Sequence, residues 1–235
     1  MKKQHLVEFE DIGVRDYKEI WDYQEEIFKA MLDYKSLQRK EISVDPPVNR
    51  LIFVEHPHVY TLGKSGSEDN LLLNYIQLQA KEASFYKIDR GGDITYHGPG
   101  QIVGYPIFDL DIFNYKLKEY IYNLEEAIIL TLKEFGIESD RLVGATGVWL
   151  DCDKESKARK ICAIGVKASR YVTMHGFAFN VNTSLEYFDH INPCGFKDKG
   201  VTSLEKELGA KQDIERVKSI LRDKLQKVFG IKWVN

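Results

Sequence analysis

The segment FYKIDRGGDITYHGPGQIVGYPI, Phe85 to Ile107, restricts the possible folds more strongly than any other part of this sequence. Its two ends read as β-strands, and the twelve residues between them, Arg90 to Gln101, include four glycines. A dinucleotide-binding loop or a P-loop opens a helix, whereas a β-like stretch follows these glycines, and no G-x-x-x-x-G-K-[ST] pattern occurs. The segment therefore predicts a loop between two strands that is neither a dinucleotide-binding loop nor a P-loop.

Periodicity on both sides of this segment predicts the other elements. Apolar residues between Tyr17 and about Lys40 mark one helix face, and Asn114 and Asp213 are suited to cap two later helices. "HLVEFED", "RLIFVEH", "TGVWLD", "KICAIGV" and "VTMHGFAFNV" read as strands. Strands clustered in mid-chain between helices favour an α+β fold, a mixed α/β sandwich. We expect residues 1–235 to form a single catalytic domain.

Composition excludes several classes of function. The 235 residues have a hydrophobic fraction of 43%, which is ordinary for a globular protein. Their net charge of −3 indicates no nucleic-acid or membrane surface. The amino terminus lacks an apolar signal region, and no run approaches the roughly 18 apolar residues of a membrane span. Three cysteines without a framework spacing fit a reducing compartment. These features predict a cytoplasmic globular protein.

The glycine-rich loop has two interpretations from its chemistry. A long hairpin with bulges would explain the glycines structurally. Glycines also let backbone N–H groups approach a ligand, and Arg90, Thr95 and His97 add polar side chains beside that surface. We favour the second interpretation, in which the loop forms the floor of a substrate site.

Cys194 is the candidate nucleophile. It lies between Pro193 and Gly195 in "INPCGF", and such a rigid loop is a poor place for a buried core thiol. Cys162, within a strand, and Cys152, in a charged loop, fit a structural role better.

A reactive thiol needs a base or a cation within hydrogen-bond reach. Lys160, His97 and His175 are all candidates, and their spacing in the sequence does not choose between them. His56 and His58 have no Cys or His partners at metal-ligand spacing, so we expect no metal site.

Three blocks together resemble the octanoyltransferase family, the lipoyl(octanoyl) transferases. They are "RGGDITYHGPGQIVGYPI", "KICAIGVKASRYVTMHGFAFNV" and "INPCGF", in that order. The resemblance extends from about residue 5 to 230 and implies the fold of the catalytic core of biotin and lipoate protein ligases. It implies that Cys194 is the acyl-thioester nucleophile and that Lys160 lowers the pKa of its thiol. The acyl-binding residues that it implies are Arg90, Gly91, Gly92, Asp93, Ile94, Thr95, Tyr96, His97, Ala163, Ile164, Gly165, Gly176, Phe177 and Ala178.

The activity implied by the family is transfer of an octanoyl group from octanoyl-acyl carrier protein to a lysine of a lipoyl domain, the first step of lipoate synthesis. The acceptors would be lipoyl domains of 2-oxoacid dehydrogenases and the glycine cleavage H protein, and no cofactor is required. Both partners are typically acidic, so we expect a basic rim, for which Arg50, Lys64, Arg90 and Lys197 are candidates. Lys167 stands where arginine is common in the family, which puts any bidentate role there in doubt.

Three other functions compete with this interpretation. An ATP-dependent lipoate or biotin protein ligase shares the fold but needs a nucleotide and no catalytic cysteine. An amidotransferase would move octanoyl between lipoyl proteins, also through cysteine. A non-enzymatic module would bind acyl carrier protein without forming an acyl-enzyme.

Overall fold

The computed structural model describes residues 4–154, 156–192 and 199–234, which form a large mixed sheet, a smaller sheet and flanking helices. The strands are β1 (His5–Val14), β2 (Asn49–Glu55), β3 (Val59–Leu62), β4 (Ser84–Lys87), β5 (Ile94–His97), β6 (Gln101–Ile107), β7 (Asp140–Leu142), β8 (Ala145–Leu150), β9 (Arg159–Ser169), β10 (Val172–Asn180), β11 (Gly200–Val201) and β12 (Ile231–Val234). The helices are α1 (Tyr17–Gln38), α2 (Tyr75–Ala80), α3 (Leu110–Phe113), α4 (Leu117–Lys133), α5 (Leu204–Leu208) and α6 (Ile214–Phe229). The predicted mixed α/β sandwich is confirmed.

The large sheet contains nine strands within the described residues. Eight follow the order β12-β1-β2-β6-β10-β9-β8-β7, and the short β11 lies parallel to β9. β1 is parallel to both β12 and β2, and the remaining neighbours are antiparallel. The smaller sheet has the order β4-β3-β5. Because β5 lies in the smaller sheet and β6 in the large one, the glycine-rich segment passes from one sheet to the other.

Helices cover both faces of the large sheet. Alternate residues of β2 show this arrangement, since side chains at i and i+2 share a face. Leu51 and Phe53 pack in the core with α4 and α6, whereas Ile52 and Val54 pack in the core with α1. Among the helices of the described residues, none has the length and apolar character required to cross a bilayer.

One of the two predicted helix caps is wrong. Asn114 lies at the C-terminus of α3 with a φ of 55°, and its N–H donates to the carbonyl oxygens of Leu110 and Asp111. Asparagine tolerates this left-handed conformation, so it ends one helix instead of starting the next. Lys116 precedes α4 without a side-chain cap. Asp213 caps α6 as predicted, accepting hydrogen bonds from the N–H groups of Glu215 and Arg216.

Candidate active site

A cavity of about 1160 Å³ lies along β9 and β10 beside the glycine-rich segment. It brings together residues that are more than 80 positions apart in the sequence. Every predicted acyl-binding residue except Tyr96 lines it. These residues are Arg90, Gly91, Gly92, Asp93, Ile94, Thr95, His97, Ala163, Ile164, Gly165, Gly176, Phe177 and Ala178.

Small residues from two neighbouring strands form part of the wall. Ala163 and Gly165 of β9 pair directly with Ala178 and Gly176 of β10. A side chain on Gly165 would have its Cβ 3.0 Å from the carbonyl oxygen of Gly91 and 3.1 Å from Cδ of Arg90. The missing side chain therefore lets the glycine-rich segment lie against β9.

The glycine-rich segment is fixed by its own hydrogen bonds. Gly92 has a φ of 88°, which favours glycine, and the N–H of Gly91 donates to the carbonyl oxygen of Val166 over 2.9 Å. The carboxylate of Asp93 accepts from the Nδ2 of Asn70 and from the N–H of Ile94. The N–H of Gly91 is thus bound to β9, and an acyl oxygen would need a different donor.

Arg90 is a buried residue beneath this segment. Its Nη2 donates to the carbonyl oxygen and to Oγ1 of Thr61, at 2.7 and 3.0 Å. Gly63 accommodates it, since a Cβ there would lie 2.9 Å from Nη1 of Arg90. Arg90 therefore supports the wall of the cavity from below.

Lys160 lies at the β8 side of the cavity. Its Nζ is 4.6 Å from the centroid of the Trp149 ring, a cation–π contact, and both residues line the cavity. Gly147 of β8 has a φ of 119°, and a Cβ there would clash with the carbonyl oxygen of Cys162, so glycine lets β8 lie close to β9 beside Lys160. Asn192 and Lys199 also line the cavity. Cys194, the predicted nucleophile, lies outside the described residues.

Comparison with known proteins decides the family. The model of the lipoyl protein ligase A/B catalytic domain matches residues 16–226. An octanoyltransferase of Christiangramia forsetii is 59% identical over 224 residues, which is 95% of each chain. An octanoyltransferase of Flavobacterium johnsoniae is 59% identical over 229 residues, covering 97% of this chain and 98% of the relative. The chain belongs to the octanoyltransferase family. It is an acyltransferase that transfers octanoyl groups in protein lipoylation.

Solved structures with the same fold include lipoate protein ligases. A bipartite lipoate protein ligase of Thermoplasma acidophilum, studied with its E2 lipoyl domain, superposes with a TM-score of 0.66 at 12% identity, covering 100% of this chain and 87% of the other. Lipoate-protein ligase A bound with ATP gives a TM-score of 0.65 at 11% identity, covering 99% and 90%. At these identities the likeness shows the shared fold, which is the fold that the sequence predicted.

In this octanoyltransferase-family chain, His97 is a neutral, fully bonded histidine. Its Nδ1 donates to Oε1 of Gln101 over 2.9 Å, and its Nε2 faces Oγ1 of Thr61 at 3.4 Å. Burial and the neighbouring His56 and Arg90 lower the pKa of His97 to about 3. Both ring nitrogens are engaged and the ring is uncharged near pH 7, which argues against His97 as the thiol's cation.

Replacement of His97 by glutamine should reduce the dependence of stability on pH. Because the folded state keeps His97 neutral, the unfolded state binds the extra proton, and stability falls as pH decreases from about 6.5 toward 3. Between pH 7 and pH 5 this histidine is expected to account for about 2 kcal/mol of the loss. Urea unfolding of parent and His97→Gln at both pH values measures the difference. An unchanged pH dependence in the variant would contradict a neutral buried His97.

His175 is the second histidine of the cavity wall, and burial lowers its pKa as well. Its backbone has a φ of 60° within β10, and its N–H donates to Oε1 of Gln24. Nε2 lies 3.5 Å from Oδ1 of Asp89, and the imidazole and Lys167 together lower the pKa of that carboxyl. The Nζ of Lys167 is 2.7 Å from Asp89 and 3.0 Å from Glu25, so the lysine makes one contact to each carboxylate.

The other cysteines and histidines fit structural roles. Cys162 is fully buried, and burial raises the pKa of its thiol. Cys152 is half-buried in the turn after β8. Within residues 4–154, 156–192 and 199–234, no group of three or more His, Cys, Asp or Glu side chains could hold a metal ion. His56 bonds to the backbone of Arg15 and to the hydroxyl of Tyr105.

Tyr96 faces away from the cavity. It is buried in the core of the smaller sheet, stacks on Tyr187 and shares a 2.7 Å hydrogen bond with Nδ1 of His58. Adjacent residues of a strand face opposite sides, so Tyr96 points away from its neighbours Thr95 and His97, which line the cavity; Ile94, two residues earlier, lines it as well. Gln101 and Asn180 also line it and were missed. Their signal was a polar residue at one end of each of two mostly apolar strands, β6 and β10.

Two of the residues suggested for a basic rim lie elsewhere. Arg50 is paired with Glu8 and Glu10 of the neighbouring strand, and Arg90 is buried under the glycine-rich segment. Lys64 is exposed, and Lys197 lies outside the described residues. Lys199 and Lys206 are the other lysines that line the cavity besides Lys160, within the part of the chain that the structure describes.

Proposed function

We propose that this chain transfers octanoyl from octanoyl-acyl carrier protein to a specific lysine of lipoyl domains, including those of 2-oxoacid dehydrogenases and the glycine cleavage H protein. One observation supports this most directly: Lys160, the acyl-binding wall and the residues on both sides of positions 193–198 line one cavity. The octanoyltransferases that are 59% identical support the same assignment. The proposal includes a single catalytic domain and a cytoplasmic location.

In the first half-reaction, the thiolate of Cys194 attacks the carbonyl carbon of the octanoyl thioester. A new C–S bond to Cys194 forms and the bond to the phosphopantetheine sulfur breaks. Lys160, as an ammonium, stabilises the attacking thiolate and then gives a proton to the departing sulfur. The energy of the thioester is kept in the acyl-enzyme, so the reaction needs no ATP and no cofactor.

In the second half-reaction, the amine of the acceptor lysine attacks the acyl-enzyme. Neutral Lys160 takes a proton from that amine, whose free pKa is about 10.4. An amide bond forms, the bond to Cys194 breaks, and the sulfur leaves as a thiolate. Lys160 is again an ammonium beside a thiolate, so protons and charges balance over the cycle.

Intact mass spectrometry tests the donor and the covalent step. The pure protein is mixed with octanoyl-acyl carrier protein without ATP, and in a parallel sample with an octanoylated lipoyl domain as donor. The proposal expects one octanoyl group on the protein from the carrier protein, removed by hydroxylamine. A requirement for ATP would favour a ligase, and an adduct from the lipoyl domain alone would favour an amidotransferase. Tight binding of the carrier protein without any adduct would favour a binding module.

Replacing a small side chain on the cavity wall by a larger one should shorten the acyl chain that the protein accepts. Ala163→Leu adds three carbon atoms opposite Ala178, in space that we assign to the octanoyl chain. Each buried methylene contributes about 0.8 kcal/mol, so the preference for octanoyl over pentanoyl thioesters should fall by more than about tenfold. The rates of acyl-enzyme formation with both thioesters measure this. Ala168→Leu, at an exposed position of the same strand, is the matched control; equal effects from the two variants would contradict the assignment.

A further inference from the structure

Two buried carboxamides connect the glycine-rich segment to the end of β11, the short strand that pairs with β9 at Lys160. The Nε2 of Gln101 donates to Oδ1 of Asn180 over 2.9 Å, and the Nδ2 of Asn180 donates to the carbonyl oxygen of Thr202 over 3.0 Å. At the other end, Oε1 of Gln101 accepts from Nδ1 of His97. Gln101 and Asn180 are only 1% and 4% exposed, and both line the cavity.

The carbonyl oxygens that these two amides contact fix the direction of every hydrogen bond between His97 and Thr202. Gln101 Nε2 also points at the carbonyl oxygen of Tyr96, and Asn180 Nδ2 points at that of Thr202. Carbonyl oxygens only accept, so both amides must present their nitrogen to them. It follows that His97 holds its proton on Nδ1. It also follows that Asn180 donates an N–H to the carbonyl oxygen of Thr202, and a flipped amide would lose this bond.

Thr202 lies directly beside Lys160. Its N–H donates to the carbonyl oxygen of Lys160 over 2.9 Å, and β11, which ends one residue earlier, pairs with β9 at Arg159 and Lys160. A strand of two residues has few hydrogen bonds, so each one matters for its placement. Asn180 ties this short strand to β10, and through Gln101 to the glycine-rich segment.

We propose that Asn180 is a positioning residue for octanoyl transfer, acting through Thr202 on the backbone of Lys160. It holds β11 against β9 and so sets where the lysine ammonium lies relative to the acyl carbonyl. This inference rests on the proposed function, in which Lys160 serves the nucleophile. Asn180 does not itself exchange a proton with the substrate.

The first test compares two asparagines near the end of the same strand. Asn182 also bridges two backbone groups, donating to the carbonyl oxygen of Gln212 over 2.8 Å and accepting from its N–H over 2.9 Å, and it does not line the cavity. Asn180→Ala is expected to slow acyl-enzyme formation by about 10- to 100-fold, as displaced catalytic groups do, whereas Asn182→Ala keeps the parental rate. Urea unfolding of both variants checks that each is folded. Parental rates in folded Asn180→Ala, or an equal loss in Asn182→Ala, would overturn the inference.

The second test uses an isosteric variant that can regain the donor. In Asn180→Asp, the ionised carboxylate places an acceptor against the carbonyl of Thr202, whereas the protonated acid again donates a hydrogen bond. The rate of Asn180→Asp, divided by that of the parent at the same pH, is expected to rise as pH decreases from 8 to 5.5. A ratio that is constant across this range would contradict a positioning role through this hydrogen bond.

The failures of the two proposals are distinguishable. If the parent forms no octanoyl-enzyme, the proposed function fails, and the positioning role of Asn180 fails with it. If the parent forms it while Asn180→Ala does so at the same rate, only the positioning role fails.

Discussion

Replacement of Cys194 by serine is expected to abolish the octanoyl-enzyme. A serine hydroxyl is almost wholly protonated near pH 7 and is a weak nucleophile unless a base activates it, whereas a thiol beside an ammonium ionises readily. We expect acyl-enzyme formation to fall by about a thousandfold or more. Intact mass spectrometry after mixing with octanoyl-acyl carrier protein, without ATP, measures the fraction of protein that has gained one octanoyl group.

Cys152→Ser is the matched control for this experiment. Cys152 lies half-buried in the turn after β8, and its Sγ is 3.7 Å from the carbonyl oxygen of Trp149. It is not among the residues that line the cavity, so its variant should gain octanoyl as the parent does. An adduct on Cys194→Ser at the parental rate would show that the acyl group does not pass through Cys194.

Replacement of Lys160 by alanine is expected to have the second-largest effect. The ammonium favours the thiolate by its charge, so its loss returns the reaction toward the behaviour of a free thiol, which ionises near pH 8.5. Acyl-enzyme formation at pH 7 should slow by about a hundredfold or more, and the midpoint of its pH profile should move upward. Transfer to the acceptor lysine should slow as well, because in the proposed mechanism the same residue accepts the proton of the amine.

Single-turnover rates between pH 6 and pH 10 measure both changes. Lys87→Ala is the control, since Lys87 is an exposed lysine paired with Glu68 on the smaller sheet. A Lys160 variant that is slower by the same factor at every pH would show that the lysine has a role other than stabilising the thiolate.

Much of the fold follows from local sequence. The apolar run of β2 and the helical period of α1 are local signals, so the sequence predicts both elements to within one or two residues. The cap at Asp213 was equally local. Asn114 was placed in the wrong helix because an asparagine can start a helix or end one, and hydrogen bonds to Leu110 and Asp111 decide between them. No local pattern indicates that β1 pairs in parallel with the C-terminal β12.

The chemistry of the sequence indicated only part of the cavity wall. The glycines and polar side chains of residues 90–97 suggested a substrate surface, whereas residues 163–165 and 176–178 came only from the resemblance. The structure gives the physical reason for one of these glycines, since a Cβ on Gly165 would lie 3.0 Å from the carbonyl oxygen of Gly91. Cys194 was a candidate nucleophile from its loop between Pro193 and Gly195, whereas the choice of Lys160 over His97 and His175 came only from the resemblance, since 34 positions separate Lys160 from Cys194.

Tertiary structure alone decided how the polar groups are used. From the sequence, His97 was a candidate cation, but burial and its bond to Gln101 make it neutral. Arg90 was a candidate for the rim, but it lies under the glycine-rich segment, bonded to Thr61. The connection from Gln101 through Asn180 to Thr202 joins residues of three segments. The burial and the hydrogen-bond partners of a polar side chain depend on which strands lie next to each other. The order of strands is a property of the folded sheet, and no local stretch of sequence contains it.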